Sequence, residues 1–167
     1  AEVTREAGMG LIIDIVPNHL SVAVPKRNKW WWDVLKHGQD SEYETYFDID
    51  WHEDNGAGGK LGLPVFGSPD DEDKLVLEHD EDVDEIVLAY YEHKYPLRPG
   101  TCDGLDDDPL EVYRKQCYKL MYWRDGVISY RRFFSVNGLA GIRQEDPMVF
   151  EHTHRIVRQL IAEDLID

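Results

Sequence analysis

The sequence has few cysteines, no long apolar run and a shortage of positive charge. Its two cysteines lack a C-x-x-C spacing, which predicts free thiols in a reducing compartment, not a disulfide framework or a zinc site. No apolar stretch approaches the roughly 20 residues of a membrane-spanning helix. The 18 lysines and arginines face 34 acidic residues, a formal net charge of -16 that disfavours nucleic acid and anionic membranes as partners. We therefore expect a cytoplasmic protein with a neutral or cationic partner.

One stretch near the start organises the rest of the chain. Leu11–Val16 is a run of aliphatic residues interrupted only by Asp14, a pattern typical of a strand buried on both faces of a parallel sheet. Pro17 ends the run because it has no N–H to donate. Asn18 and His19 are thereby predicted at the carboxyl end of the strand, where α/β folds place their chemistry. A carboxylate inside such a run needs a partner, so Asp14 is predicted to join a buried polar network.

Helix and strand signals follow in mixed order. Capping residues, turn residues and apolar periodicity predict four helices, a further helical turn at the capping box Ser41-x-x-Glu44, and one antiparallel hairpin. The predicted elements are a helix remnant over 1–7 ended by Gly8, a tryptophan-rich helix over 30–36 capped by Asn28 and Gly38, hairpin strands over 74–78 and 85–91, a helix over 109–121 capped by Asp108, and a final helix from 147 with the apolar stripe Phe150, Val157, Leu160, Ile161 and Leu165.

A set of motifs links this pattern to a known family. The pattern Asp14-x-x-x-Asn18-His19 resembles the third barrel strand of the α-amylase superfamily. Four further motifs follow it: WWWDVLKHG (30–38), YFDIDW (46–51), YYEHKYPL (90–97) and YRRFF (130–134). In that order, and over nearly the whole chain, they resemble the maltooligosyl trehalose synthase family of that superfamily.

The resemblance implies an α+β piece of a (β/α)8 barrel, because a complete barrel typically needs about 250 residues. Residues 1–20 would hold a helix tail and the third strand. Residues 21–127 would form a small α+β subdomain inserted at the substrate cleft, and residues 128–167 would form a return segment and the third barrel helix. Loops at that face of a barrel tolerate such insertions without disturbing the core.

The resemblance also implies roles for individual residues. His19 would hydrogen-bond the sugar at the point of cleavage, Asn18 would position His19, and Asp14 would support this network. A tryptophan face suits a glucose ring, and guanidinium groups suit sugar hydroxyls. The expected substrate-binding residues are His19, Asn18, Asp14, Trp32, Arg131 and Arg132.

Structural alternatives stay open for these residues. A histidine can serve packing alone, three consecutive tryptophans on a helix point in different directions and favour the core, and an arginine can pair with a carboxylate. In metal-dependent amylases the residue matching Asn18 binds calcium, but this sequence has no cluster of oxygen ligands, so we expect no metal and no cofactor. Ser135 and Gly138 stand where the family usually has acidic residues.

Members of the resembled family convert the reducing-end α-1,4 linkage of a maltooligosaccharide into an α,α-1,1 linkage by intramolecular transglycosylation, a step of trehalose biosynthesis. Carboxylates that flank the bond perform such chemistry, and by the family layout they would lie beyond Asp167. We therefore expect no catalytic residue in this chain, no activity from it alone, and partners limited to maltooligosaccharide and the rest of the barrel. The alternatives are a segment of an amylase-type α-glucan hydrolase and a non-catalytic carbohydrate-binding module.

Overall fold

A computed structural model describes residues 2–166 and contains both helices and strands, as predicted. The helices are α1 (Glu2–Glu6), α2 (Lys29–His37), α3 (Pro109–Arg114) and α4 (Pro147–Ala162). The strands are β1 (His19–Ser21), β2 (Leu61–Phe66), β3 (Val76–Asp80), β4 (Glu85–Tyr90), β5 (His93–Pro96), β6 (Tyr118–Tyr122) and β7 (Leu139–Gly141). Short 3-10 turns connect several of these elements.

The strands form three small sheets. β1 pairs with β7 antiparallel, β2 pairs with β6 parallel, and β3, β4 and β5 form an antiparallel meander. The predicted hairpin is confirmed as β3 and β4. The third strand of the meander was not predicted; it follows a two-residue turn in which Tyr91 adopts a φ of 50°, a left-handed conformation that is uncommon outside glycine.

The predicted buried strand over Leu11–Val16 is wrong. The structure assigns no strand to this segment, and Ile12 and Val16 are 86% and 58% exposed. A parallel strand completes its hydrogen bonds only with neighbouring strands, and no strand of the described part of the chain pairs here. Asp14 is exposed, so the expectation that it joins a buried polar network is also wrong for this structure.

The helix predicted over 109–121 ends early, at Arg114. Asp108 caps its first turn as predicted, accepting a backbone hydrogen bond of 2.9 Å. Leu120 and Met121, the last two residues of the predicted apolar stripe, lie instead in β6, where Tyr118 and Leu120 are 0% and 2% exposed. Burial of every second residue is typical of a strand. The strand forms here because β2 pairs with it.

Helix α2 has the caps that the sequence predicts. The Asn28 side-chain oxygen accepts a hydrogen bond of 3.2 Å from the backbone N–H of Trp31. Gly38 ends the helix with a φ of 62°. A side chain at position 38 would also meet Cys117, whose Cβ and Sγ lie 3.0 Å from where a Cβ would be. Both the conformation and the close approach therefore require glycine.

The core is centred on the inner face of α2. Trp31, Val34 and Leu35 are at most 1% exposed. The Trp31 ring meets Phe47 and Tyr130 edge-on, with ring centroids 4.9 and 5.1 Å apart, a favoured arrangement for aromatic pairs. One indole thus joins the helix to two segments that are distant in sequence.

The final helix begins as predicted, with Asp146 accepting backbone hydrogen bonds from its first turn. Its predicted apolar stripe is wrong in part, because the fully buried residue is Val149, whereas Phe150 and Ile161 are 42% and 60% exposed. The beginning of α4 is therefore its best-buried part. Across residues 2–166, no helix combines the length and apolar character needed to cross a lipid bilayer.

A charged cluster ties the meander to the turn before α2. The Asp80 carboxylate is 2% exposed and lies 2.9 Å from Lys26 Nζ and 3.0 Å from Lys94 Nζ. Hydrogen bonds from Lys26 and Lys94 hold the pKa of Asp80 well below its usual range, against the opposing effect of burial. Asp80 is therefore a buried carboxylate that is stable only in its charged, paired form.

We expect Trp31→Ala to lower the free energy of unfolding by about 3–5 kcal/mol, the usual cost of deleting a large buried aromatic side chain. Urea denaturation followed by circular dichroism measures this change. Trp123, which is 52% exposed, provides the matched control, and Trp123→Ala should change stability by about 0.5 kcal/mol or less. Equal effects of the two substitutions would contradict the central place of Trp31 in the core.

We also expect stability to fall in acid because of Asp80. Its pKa is lower in the folded than in the unfolded protein, so its stabilising effect is complete above the unfolded value of about 3.9 and is lost as the pH falls toward the folded value. Urea unfolding between about pH 6 and pH 2 should show this loss, and Asp80→Asn should reduce stability at pH 6 and flatten the acid decline. Asp70→Asn, which alters an exposed carboxylate that caps no backbone group, should leave the profile unchanged. Parallel profiles for wild type and Asp80→Asn would refute the expectation.

Candidate functional site

His19 lies in a small antiparallel sheet built from both ends of the chain. In β1 and β7, His19 is opposite Gly141. A third extended segment joins the other edge of β7, where Arg132 bridges Ala140 and the Gly141 N–H donates a 2.8 Å hydrogen bond to the Arg131 carbonyl. His19, Gly141 and Arg131 therefore form one row across the sheet.

Residues opposite each other in adjacent strands carry their side chains on the same face. His19 and Arg131 thus share a face, at two strand spacings or about 10 Å, with Gly141 between them. The Arg131 side chain occupies the space above this glycine, since a Cβ at position 141 would lie 3.2 Å from Arg131 Cδ. Because residue 141 is glycine, the Arg131 side chain can lie across β7.

A ring stack and a hydrogen bond hold the His19 imidazole. Its ring stacks on Phe133 with centroids 4.1 Å apart and planes inclined by 23°. Its Nδ1 lies 3.1 Å from Asn18 Oδ1. Because an amide oxygen only accepts, Nδ1 is the donor of this pair, and Nε2 of the neutral ring keeps its lone pair. Within residues 2–166 no other group binds Nε2, so it is available to a hydroxyl donor.

Arg131 also borders a wide cleft. Its Nη1 lies 3.4 Å from Asp48 Oδ2, and the two side chains are 65% and 44% exposed, so water screens the pair and its strength is small. The cleft has a volume of about 570 Å³, and Asp50, Trp51 and His52 contribute to its lining. The guanidinium can therefore exchange its carboxylate partner for a ligand hydroxyl at little cost.

The other predicted site residues lie elsewhere. Arg132 projects to the opposite face from Arg131, since consecutive residues of an extended segment alternate. Its Nη1 donates to Asn137 Oδ1, and the Tyr130 hydroxyl donates to the Asn137 carbonyl at 2.6 Å. Arg132 therefore supports the loop before β7. Trp32 lies half-buried on α2, and none of the contacts of His19 and Arg131 described above involves it.

The structure thus places His19 beside Asn18 and on the same sheet face as Arg131, two strands away, whereas Asp14 is on the exposed segment before β1. Sequence reasoning did not select Gly141 or Asp48. Phe133 could have been found, because it is two residues after Arg131 and shares its face if the segment is extended. Gly141 could not, because its place between two functional side chains depends on the register of β7.

Gly138, one of the departures from the family pattern, also has a structural reason. A Cβ at this position would lie 3.0 Å from the Cβ of Ala23. The carbonyl of Gly138 accepts a 2.8 Å hydrogen bond from the N–H of Val22. A larger residue at 138 would therefore push apart the segments that extend β1 and β7.

Comparison with known proteins assigns the chain to a family, although no family model matches it. It is 43% identical over 163 residues to a putative maltooligosyl trehalose synthase of Mycobacterium tuberculosis strain H37Rv, covering 98% of this chain and 20% of that protein. The structure of maltooligosyltrehalose synthase from Arthrobacter ramosus matches with a TM-score of 0.85 and 51% identity, over 99% of this chain and 21% of that one. A hypothetical maltooligosyl trehalose synthase from Sulfolobus tokodaii matches with a TM-score of 0.76 and 36% identity, over 92% and 20%. The chain, which spans about one fifth of the length of these relatives, belongs to the maltooligosyl trehalose synthase family.

Proposed function

We propose that this chain forms one wall of the active-site cleft of a trehalose-forming enzyme that converts the reducing-end α-1,4 linkage of a maltooligosaccharide into an α,α-1,1 linkage. The observation that carries the proposal is the single sheet face shared by His19, Phe133 and Arg131 in a chain of this family. The face combines a hydroxyl acceptor, an aromatic ring and a guanidinium donor. These are the groups that a sugar needs, because its hydroxyls form hydrogen bonds and its ring faces are apolar.

Each side chain has a distinct part in the proposed complex. Nε2 of His19 accepts a hydrogen bond from a hydroxyl of the sugar at the point of cleavage, while Asn18 holds Nδ1 and so sets the tautomer. Arg131 donates to a second group of the substrate after leaving Asp48. Arg132 acts only through the loop that it supports, and Asp14 and Trp32 act only in the context of the whole enzyme. The proposed binding therefore depends on two side chains that project from the same face of the sheet, from strands about 10 Å apart.

The proposed reaction needs a wall of this kind. In a retaining mechanism one carboxylate attacks the anomeric carbon while the glycosidic bond breaks, and a second carboxyl group donates its proton to the oxygen of the departing glucose. The anomeric hydroxyl of that glucose then attacks the covalent intermediate and gives its proton to the second carboxylate, and the new glycosidic bond releases the first carboxylate. Water would compete at this step, so the glucose must be held in place and the cleft closed. We propose that the carboxylates belong to the rest of the enzyme and that this chain holds the sugar.

The proposed layout keeps residues 1–20 and 128–167 as barrel segments around a subdomain of residues 21–127. Two observations support it. The β1–β7 pairing joins the start of the subdomain to the return segment, and Arg5 of α1 lies 3.0 Å from Asp164 beyond α4. The exposed apolar side chains of Ile12 and Ile156, 86% and 65% accessible, would then face the remaining barrel.

The test of the proposed function is a chimera in which residues 1–167 replace the matching segment of the Arthrobacter ramosus synthase. With maltopentaose, the chimera should form a non-reducing product with little free glucose, and the isolated chain should form no product. Glucose as the main product would favour the hydrolase alternative. Micromolar binding of maltopentaose by the isolated chain would favour the binding-module alternative.

In that chimera we expect His19→Ala to lower kcat by about 100-fold or more, because the reacting sugar loses a positioning contact. His154 is the matched control, since it stacks on Phe150 with centroids 4.1 Å apart and an inclination of 22°, close to the geometry of His19 on Phe133. His154→Ala should leave kcat unchanged. Thermal unfolding of both variants separates lost activity from lost structure, and full activity of a folded His19→Ala chimera would exclude the proposed role.

We further expect Gly141→Ala in the chimera to lower kcat/KM about tenfold, equivalent to about 1.4 kcal/mol. The new methyl would meet Arg131 Cδ and Cγ at 3.2 and 3.3 Å and displace the guanidinium. Gly104→Ala is the control, because nothing lies within 4 Å of a Cβ there. Equal kcat/KM values for the two variants would contradict the placement of Arg131 in the substrate cleft.

A further inference from the structure

The partly buried lysines of the chain are paired with carboxylates, with one exception. Lys26, Lys36 and Lys94 are each half-buried and each lie 2.9 Å or less from a carboxylate oxygen. Lys60 is also half-buried, but no carboxylate in the described part of the chain forms an ion pair with it. Within residues 2–166, Lys60 is thus the one lysine that is partly buried and has no acidic partner.

The positive charge of the Lys60 ammonium is only partly compensated by its hydrogen bond. Its Nζ donates a 2.6 Å hydrogen bond to the backbone carbonyl of Arg114, which leaves two N–H groups. Burial lowers the pKa of Lys60; Cys117 opposes this shift, and the neighbouring charge of Lys119 adds to it. A desolvated cation beside a second cation is stabilised by an anion. The local electrostatics therefore favour an anionic ligand at this position.

A second cation without a partner faces the same space. Lys60 and Arg98 both line a cleft of about 250 Å³. The Arg98 side chain is exposed and forms no ion pair or side-chain hydrogen bond within residues 2–166. Asp40 supplies the one carboxylate among the lining residues and pairs with neither cation; His37 and Cys117 are the remaining titratable groups of the lining.

We propose that Lys60 and Arg98 bind a small oxyanion of the phosphate class in this cleft. A guanidinium donates two parallel hydrogen bonds to such an anion, and an ammonium adds a compact charge from another direction. A dianion can compensate both cations, whereas a single carboxylate carries half the charge. The site is independent of the proposed function, although Trp51 lines both this cleft and the one beside Arg131.

The experiment titrates the purified 167-residue chain with inorganic phosphate at about pH 7, at constant ionic strength set by chloride, and follows amide shifts by NMR. We expect saturable shifts at Gly59, Lys60 and Gln116, which line the cleft or adjoin it. Lys60→Gln and Arg98→Gln should each weaken binding about tenfold or more. Arg124→Gln should leave binding unchanged, because this arginine stacks over Trp123 at 5.1 Å and does not line the cleft.

Lys60→Gln removes the hydrogen bond to Arg114 and could change the fold. Arg98→Gln removes no side-chain hydrogen bond or ion pair of residues 2–166, so a loss of binding in this variant does not result from misfolding. Acetate, titrated in the same way, should bind about tenfold more weakly than phosphate. Shifts that do not saturate, or an affinity unchanged by Arg98→Gln, would overturn the proposal. Acetate binding as tight as phosphate binding would overturn the phosphate class and identify a site for a carboxylate.

Discussion

A three-residue antiparallel pairing between β1 and β7 holds the candidate site together. It brings residues from opposite ends of the chain into register, with His19 opposite Gly141. Closing so long a loop costs conformational entropy, and three residue pairs do not offset this cost by themselves. The remaining stabilisation comes from the core, where Trp31 contacts Phe47 and Tyr130. Phe47 bridges Ile142, just after β7. The geometry of the site therefore depends on packing beneath α2.

Local signals predicted more of the fold than long-range signals did. The caps at Asn28, Asp108 and Asp146 were predicted correctly, because each cap bonds a backbone group only two or three residues away. Leu11–Val16 and β6 were not, because an apolar run becomes a strand only where another strand pairs with it. β6 pairs with β2, whereas no strand among residues 2–166 pairs with Ile12–Val16. The sequence contains the apolar pattern in both places and does not show which has a partner.

The residues of the candidate site were also predictable only in part. His19, Asn18 and Arg131 were expected from a family resemblance, and their roles in substrate binding stay predictions. The sequence does not predict that Arg131 and Arg132 lie on opposite faces of the sheet, because the bridge between Arg132 and Ala140 decides which face each occupies. The unpaired state of Lys60 is likewise invisible in the sequence, since acidic residues are abundant and only the structure shows which lysines they reach.

The exposed segment before β1 has a consequence for handling the protein. The structure of residues 2–166 assigns no paired strand to Ile12–Val16. This segment has four β-branched residues and a single charge, and short segments of high β-propensity and low charge are the type that pairs with identical copies in cross-β aggregates. Asp14 is that charge, and stacked copies would place identical carboxylates next to each other, which is how a gatekeeper residue acts. The residue that was expected to serve a buried network is thus placed where its charge disfavours self-association.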